Sequence, residues 1–367
     1  MNYEKKKLKD CCISISDGDH QAPPKTETGI PFITISNIGG NNQLDFSNVM
    51  YVPEEYYENI LANKKASIGD ILYSVVGSFG KPVYISSDKK FVFQRHIAIL
   101  KPNKDIDGKY LYYTMLDPIF YHKVDKLAIG CAQRTITLDT LRNIVIDVPP
   151  LEKQKSITKV LRVIDAKIAI NNRINDNLQQ QQSLIYEDMM AKALSERIAG
   201  TFTVAKNLST VITGKEDANF STSNGKYKFF TCSNEPLRCD EFVFDSSSIL
   251  IAGNGDFNVK HYTGRFNAYQ RTYVLTPPIK YYALLYLASL YRINSFKSNS
   301  SGSIVKFITK GDVENIPVFI PDDYTYLQAL NVLTQLQEQN QYENEKLLQL
   351  RDWLLPLLMN GQATITD

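Results

Sequence analysis

The chain has 367 residues, of which 43% are hydrophobic and 22% are charged, and its formal net charge at pH 7 is +2. This composition is ordinary for a globular protein of two or three domains, and it excludes a disordered chain and a strongly basic DNA-binding domain. No apolar run is long enough to cross a membrane. The cysteines, at Cys11, Cys12, Cys131, Cys232 and Cys239, lack the spacing of a disulfide framework. We therefore expect a reduced cytoplasmic protein without a signal peptide.

Residues 1–150 are predicted to form a mixed, strand-rich domain. Runs of β-branched and aromatic residues bounded by Gly, Pro and Asn favour strands. Such runs occur at 30–38, 70–76, 82–86 and 93–100. The apolar spacing in 108–124 predicts one helix that packs on the resulting sheet.

Residues 151–200 are predicted to form a long helix. From Ile157 onward, apolar positions alternate spacings of four and three residues, which indicates a heptad seam whose middle is polar. A helix of about 40 residues spans roughly 60 Å, which favours a spacer over a helix packed on one domain. The predicted seam residues are Ile157, Leu161, Ile164, Ile168, Asn171, Leu178 and Ile185.

The second half of the chain repeats the first, with a strand-rich domain at 201–322 and a helix at 323–367. Asn143–Ile144 returns as Asn315–Ile316, and Pro149 returns as Pro321 at the same interval. Pro356 and Gly361 are predicted to end the second helix. Its predicted seam residues are Leu336, Leu347, Leu350 and Leu354.

These patterns predict an α+β fold. We expect two similar mixed, strand-rich domains that are joined by two long helices forming an antiparallel coiled coil, with a pseudo-twofold relation between the halves. The matching polar centres of the two seams favour this pairing. The alternative is that each helix is an ordinary amphipathic helix packed on its own domain.

No residue pattern indicates catalysis. The histidines lack the spacing of metal ligands, and no Cys-x-x-Cys occurs. The segment GSFGKP (77–82) is too short for a phosphate-binding loop, and it is interpreted as a turn. The segments AGNGD (252–256) and TPPI (276–279) lack the groups with which a DNA methyltransferase holds its target base. We therefore expect a non-catalytic chain with no metal or cofactor of its own.

Basic and amide side chains at predicted loop tips favour DNA recognition. Arg and Lys read guanine, and Asn and Gln read adenine, in the major groove. For each residue the alternative is a solvated or structural role. Because Gln94–Arg95 and Gln270–Arg271 occupy matching positions, they are interpreted as phosphate, backbone or fold contacts rather than as specificity residues. The candidate DNA contacts are Lys81, Gln94, Arg95, His96, Gln133, Arg134, Lys226, Lys228, Asn254, Lys260, Arg265, Gln270, Arg271 and Lys306.

The ordered combination of segments 15–38, 69–86, 130–168 and 350–365 resembles the specificity subunits of type I restriction–modification systems. The resemblance covers essentially the whole chain. It implies that two target recognition domains each read one half of a bipartite DNA sequence, and that the paired helices set the gap between the halves. One departure is that PPLEKQ (149–154) has no counterpart in the second half, which puts equivalent docking of a second partner in doubt.

The same resemblance implies the partners. They are double-stranded DNA, two modification (methyltransferase) subunits, and restriction (translocase and nuclease) subunits. S-adenosylmethionine, ATP and magnesium would be held by those partner subunits, while this chain would supply no chemistry. Two alternatives stay open: a specificity subunit of a type II system, and a helical scaffold protein that does not bind DNA.

Overall fold

The computed structural model describes residues 3–20, 23–39, 42–130, 134–255, 257–298 and 307–363. The chain divides into two compact units, the first being Met1–Lys167 with Lys346–Asp367 and the second being Ile168–Glu345. These boundaries fall inside the two long helices, whereas the sequence places the divisions at the helix ends. Each unit therefore combines a strand-rich domain with a part of both long helices.

The described strands of the first unit form three sheets. A four-stranded antiparallel sheet has the order β2–β8–β5–β6, a three-stranded sheet has the order β4–β3–β7, and β1 pairs with β9. The residues of β5 are all buried, which explains why this strand reads as a short continuous apolar run. These strands are β1 (Glu4–Lys7), β2 (Cys12–Asp17), β3 (Ile30–Ile33), β4 (Met50–Val52), β5 (Ile71–Ser74), β6 (Pro82–Tyr84), β7 (Val92–Phe93), β8 (Ile97–Pro102) and β9 (Val145–Val148).

The helices of the first unit differ from the prediction at one point. Segment 108–124 forms two helices rather than one, because Pro118 lacks the N–H that would continue the first. The Asp117 side chain accepts a hydrogen bond from the Ile119 N–H at 2.9 Å and so caps the second helix. The helices that begin in this unit are α1 (Leu8–Cys11), α2 (Glu54–Asn59), α3 (Gly108–Leu116), α4 (Pro118–Leu127), α5 (Leu138–Asn143) and α6 (Leu151–Leu194).

The second unit is built around a larger sheet. Its described strands form a six-stranded sheet of order β11–β16–β14–β15–β12–β13, and β10 pairs with β17. Helix α7 packs on this sheet through a first half that is almost entirely buried. The elements are β10 (Gly200–Val204), β11 (Val211–Thr213), β12 (Tyr227–Phe230), β13 (Leu237–Cys239), β14 (Phe244–Ala252), β15 (Val259–Ala268), β16 (Thr272–Leu275), α7 (Tyr282–Ser298), α8 (Lys310–Glu314), β17 (Pro317–Pro321) and α9 (Tyr324–Met359).

The internal repeat builds the same junction in both units. The Leu8 N–H donates to the Ile144 carbonyl at 2.9 Å, and the Ala205 N–H donates to the Ile316 carbonyl at 2.9 Å. In each unit an asparagine amide then caps the short helix before the last strand, at Asn143 and at Asn315, by donating to a carbonyl four residues earlier at 2.8 Å. The repeated sequence therefore forms the same strand pairing and the same helix end in each unit.

Helix α6 buries one stripe of side chains on a heptad pattern. In the first unit, Ile157 and Leu161 share a core with Leu355 and Leu358 of α9. Ile185 is half-buried, whereas Tyr186 beside it is buried. The other buried stripe residues include Gln154, Ile164, Ile168, Asn171, Leu178, Gln182, Met189 and Ala193.

Helix α9 buries a different stripe from the predicted one. Leu336 and Leu350 are 42% and 43% exposed, and Leu347 and Leu354 are half-buried. The predicted seam is displaced by one residue because several buried positions carry polar side chains, while leucines occupy the neighbouring positions. The buried residues of α9 include Leu327, Leu330, Thr334, Gln337, Asn344, Leu355 and Leu358.

The end of α9 also departs from the prediction. Pro356 lies inside the helix rather than ending it, and the helix continues to Met359. The Pro356 carbonyl still accepts a hydrogen bond from the Asn360 N–H at 3.1 Å. Gly361 follows with φ +76°, a conformation that favours glycine after a helix.

Polar contacts join the two long helices within the second unit. Asn171 Nδ2 donates to Asn344 Oδ1 at 2.9 Å, and Gln182 Nε2 donates to Thr334 Oγ1 at 2.7 Å. Because higher numbers on α6 meet lower numbers on α9, the two segments run antiparallel. No helix among the described residues is both long enough and apolar enough to span a membrane.

Candidate nucleic-acid interface

In the first unit, predicted DNA contacts meet where β5 ends. The Lys81 N–H donates to Ser74 Oγ at 2.9 Å, and the Val75 N–H donates to the His96 carbonyl at 2.9 Å. Gln94, Arg95 and His96 lie in one turn, which the Ile97 N–H closes by donating to the Gln94 carbonyl at 3.0 Å. We call Lys81, Gln94, Arg95 and His96 the β5-end cluster. The sequence separates these residues, and backbone hydrogen bonds to the end of one buried strand bring them together.

The cations of the β5-end cluster differ from Arg134, which lies beside it. Lys81 and Arg95 form no ion pair with any described residue. Arg134 pairs with Asp125 of α4 at 2.8 Å and lies over the Phe79 ring at 5.7 Å. The Arg134 guanidinium therefore holds its own loop against α4 and Phe79. It has fewer N–H groups left to contact DNA than the sequence predicts.

In the second unit, another group meets where β14 ends. The Gly253 N–H donates to the Arg271 carbonyl at 2.9 Å, and Gln270 stands beside Arg271 on an exposed turn. Asn254 follows Gly253, and Lys260 lies opposite on β15. We call Asn254, Lys260, Gln270 and Arg271 the β14-end cluster. A shared bond supports its equivalence to the first cluster, because Val75 and Gly253 each accept from an isoleucine N–H, at 2.9 and 2.8 Å.

Lys260 is the least solvated cation of the β14-end cluster. Its Nζ donates to the Ser233 carbonyl at 2.7 Å and also to Asn258 Oδ1. Burial lowers the pKa of Lys260 to about 8, and Cys232 and Glu235 only partly oppose that effect. The side chain therefore helps to hold loop 231–233 on the strand, and it still carries most of a positive charge at neutral pH.

Three predicted contacts lie outside both clusters. Lys228 is turned toward α9, where its Nζ lies 2.5 Å from Glu345, and its side chain is only 15% exposed. Arg265 pairs with Asp245 at 3.0 Å, toward the other end of the β14–β15 ladder from Lys260. Lys226 is exposed beside the Tyr227 ring. Lys228 and Arg265 therefore have structural partners that the sequence did not indicate.

Two further predicted contacts, Gln133 and Lys306, lie outside the described residues. Within the described ranges, no group of three or more His, Cys, Asp or Glu residues could hold a metal ion.

Buried polar contacts attach each strand-rich domain to the long helices. In the first unit, Asp165 of α6 accepts from the Tyr113 hydroxyl at 2.6 Å and lies 3.5 Å from Arg351 of α9. In the second unit, Glu338 of α9 accepts from the Tyr282 hydroxyl at 2.8 Å and pairs with His261 Nδ1 at 3.0 Å. In each unit the strand-rich domain is thus tied to a carboxylate of a long helix.

Glu338 keeps its charge although it is largely buried. Burial alone would raise its pKa, but hydrogen bonds and charge from His261, with hydrogen bonds from Tyr282 and Thr263, outweigh burial and lower it. Burial also raises the pKa of Tyr282, so its hydroxyl remains a donor. The arrangement is an ionised carboxylate held by donors from the sheet, His261 and Thr263, and from α7, Tyr282.

Two glycines that the sequence analysis did not single out shape the recognition loops. A Cβ on Gly18 would lie 2.0 Å from the Phe93 carbonyl oxygen, and one on Gly214 would lie 1.8 Å from that of Ala268. Both glycines therefore permit close approach of the chain just before a Gln–Arg turn. Their positions in SDGDH (16–20) and TGKED (213–217), each before acidic residues, are a signal that could have identified them.

Comparison with known proteins places these features in a family. The family described as "Type I restriction modification DNA specificity domain" matches residues 1–180 and 205–351. The EcoDI specificity subunit of Escherichia coli is 37% identical over 159 residues, which is 41% of this chain but only 36% of that protein. A putative MjaX specificity subunit from Methanocaldococcus jannaschii is 24% identical and covers 99% of this chain and 94% of its own length.

A solved structure shows the same fold. The type I restriction–modification S subunit from M. genitalium has a TM-score of 0.55 at 17% identity, and the match covers 98% of this chain and 96% of that one. The fold agrees with the α+β prediction of strand-rich domains and long helices. Because the family model matches two segments that together cover most of the chain, the protein belongs to the family of type I restriction–modification DNA specificity proteins.

Proposed function

We propose that this chain is the DNA-recognition subunit of a type I restriction–modification complex, and that each unit reads one half of a bipartite target. The observation that carries the proposal is the duplicated geometry. In each unit one strand ends at a group of cations and amides, fixed by the same backbone hydrogen bond to the repeated isoleucine, Ile136 or Ile308. A chain with two equivalent recognition surfaces suits a target with two separate halves.

The side chains of the two clusters would have two roles, which are binding of the DNA backbone and recognition of bases. Lys81 would neutralise phosphates, the repeated Arg95, Gln270 and Arg271 would contact the DNA backbone, and Asn254 has the amide group that reads adenine. Each sheet holds its cluster rigidly through backbone hydrogen bonds. A rigid, preorganised surface supports discrimination between bases, because the side chains need not reorder on binding.

We further propose that the long helices act as the spacer between the two half-sites. Helix α6 has 44 residues and would therefore be about 66 Å long. Inserting one heptad into α6 after Asn175 and a matching heptad into α9 before Asn340 would keep the pairs Asn171–Asn344, Asn175–Asn340 and Gln182–Thr334 and lengthen the helix pair by about 10 Å. The expected result is a wider gap with unchanged half-sites. A gap that stays the same would contradict the spacer role.

The partners follow from the same proposal. Two modification subunits would bind this chain and methylate the target with S-adenosylmethionine, and restriction subunits would use ATP and magnesium to translocate and cut. This chain would contribute recognition and no catalytic residue. Such a complex would act on DNA in the cytoplasm.

The experiment that tests the proposal is selection from a randomised duplex library by this chain together with its co-encoded modification subunit. Two enriched blocks at a fixed spacing are expected. A single block would show that one unit does not read DNA. No enrichment by an intact complex would favour a scaffold role and would overturn the proposal.

A further inference from the structure

A cleft of about 440 Å³ opens on the first unit, on the exposed face of the β1–β9 ribbon and beside α4. Lys5 of β1 and both Lys123 and Lys126 of α4 line it. None of these three ammonium groups forms an ion pair with a described residue. Three lysines that form no salt bridge with a described residue, around one concave surface, favour an anionic ligand.

The same cleft exposes apolar surface. Leu127 is 49% exposed and Val145 is 42% exposed, and Ile144 forms a buried part of the lining. One carboxylate, Asp147, also lines the cleft and lies opposite Lys5 in the β1–β9 register. A DNA backbone could place phosphates at the three lysines, but it carries no large apolar group that would cover Leu127 and Val145. The ligand that fits is therefore anionic and partly apolar.

The internal repeat supplies a comparison within the molecule. In the second unit, Phe202 and Phe319 hold the register positions that correspond to Lys5 and Asp147. Their rings pack 4.9 Å apart, and Phe202 is 53% exposed. The fold thus tolerates an aromatic pair at this place. The charged pair in the first unit is not required by the ribbon, which points to a role that only one unit has.

The cleft is also separate from the candidate DNA contacts. On α4, Tyr121 and Asp125 lie four residues apart on one face. Tyr121 stacks on Phe79 at 5.9 Å, and Asp125 pairs with Arg134, both beside the β5-end cluster. The lysines of the cleft belong to another side of the same helix.

We propose that this cleft binds an acidic segment of a protein partner. Carboxylates of the segment meet Lys5, Lys123 and Lys126, and an apolar side chain of the segment covers Leu127 and Val145. The equivalent register positions of the second unit carry the Phe202–Phe319 pair instead of Lys5 and Asp147, so the partner contact is asymmetric. This inference does not depend on the proposed reading of DNA.

The test is a fluorescence-anisotropy titration of the full chain with a labelled short peptide that is rich in glutamate and carries two leucines. The triple variant Lys5→Glu/Lys123→Glu/Lys126→Glu is expected to weaken binding about tenfold or more, because three exposed ion pairs are reversed. Replacing the leucines of the peptide by serine is expected to weaken binding about tenfold as well, since the apolar contact is lost.

A matched triple variant serves as the control for the change in net charge and for folding. Lys25→Glu/Lys104→Glu/Lys215→Glu changes exposed lysines elsewhere and carries the same net charge, so its binding should equal that of the original chain. Circular dichroism melting curves should coincide for both variants and the original.

Three outcomes would overturn the proposal. The first is equal loss of binding in both triple variants, which would mean nonspecific charge attraction. The second is equal binding of the leucine-free peptide, which would mean that the apolar surface has no role. The third is a random-sequence duplex that binds more tightly than the peptide and loses binding only in the cleft variant, which would make the cleft a nucleic-acid surface.

Discussion

The tie between Glu338 and the sheet of the second unit yields a quantitative prediction. Glu338→Ala removes the acceptor of His261 and Tyr282, and afterwards the Tyr282 hydroxyl keeps weaker contacts, among them one of 3.5 Å with the Ser248 carbonyl. Leaving a buried donor unsatisfied costs about 1–3 kcal/mol. Two donors would cost about 2–6 kcal/mol, and we expect about 2–4 kcal/mol because Tyr282 keeps part of its hydrogen bonding. Glu338→Gln retains one acceptor oxygen and should cost about half as much.

Hydrogen–deuterium exchange of peptides from 259–268 and 330–345 measures this local stability. A cost of 2–4 kcal/mol predicts exchange about 30- to 1,000-fold faster at pH 7. The control is Gln339→Ala, an exposed change on the same helix that should stay within about 0.5 kcal/mol. Unchanged exchange in Glu338→Ala, or equal damage from Glu338→Gln, would refute the reasoning.

The pH dependence of the same tie has a definite sign. The pKa of Glu338 is lower in the folded chain than its ordinary value. The stabilisation is therefore complete above the unfolded-state pKa, roughly 4.3, and is lost as the pH falls through the folded-state pKa. The difference in exchange between the original chain and Glu338→Gln should accordingly shrink below about pH 4.3. A difference that grows on acidification would contradict this account.

Three further predictions concern the seam, a recognition loop and a candidate phosphate contact. Asn171→Leu/Asn344→Leu should raise the free energy of unfolding in urea by about 1–3 kcal/mol, because a buried polar pair gives way to apolar packing; a less stable double variant would refute this. Gly214→Ala should cost about 1–3 kcal/mol from its clash with a backbone carbonyl, whereas Gly311→Ala, with its nearest neighbour at 3.8 Å, should be neutral or stabilising by thermal melting. Lys81→Ala should lower the slope of log binding constant against log salt by about one for a target duplex; an unchanged slope would exclude a phosphate contact.

The long helix α6 shows what sequence periodicity can predict. Its predicted seam residues from Ile157 to Leu178 are buried, because apolar and amide side chains alternate there on an unbroken heptad. The same reasoning selected Leu336 and Leu350 on α9, and both are exposed. On α9, leucines occupy positions next to a buried stripe that is partly polar. Hydropathy alone cannot show that Gln337, rather than the adjacent Leu336, is the buried residue.

The sequence predicted the candidate interface less well than it predicted the buried stripe of α6. Loop-tip position identified Lys81 and Arg95, which form no ion pair with a described residue. It could not show that Lys228 is bound to Glu345, or that Arg265 is paired across the ladder with Asp245. These partners are distant in sequence or set by strand register, and a single sequence carries no signal for either. Charged residues in loops are therefore separated into free and engaged groups only by the folded structure.

The most direct test of the central claim is library selection by complexes in which one cluster at a time is changed. The first complex carries Lys81→Ala/Arg95→Ala, and the second carries Asn254→Ala/Gln270→Ala. If each unit reads one half-site, each variant should lose enrichment in one block and keep the other block at the same spacing. Loss of both blocks together in either variant, with the complex intact, would contradict independent reading by the two units.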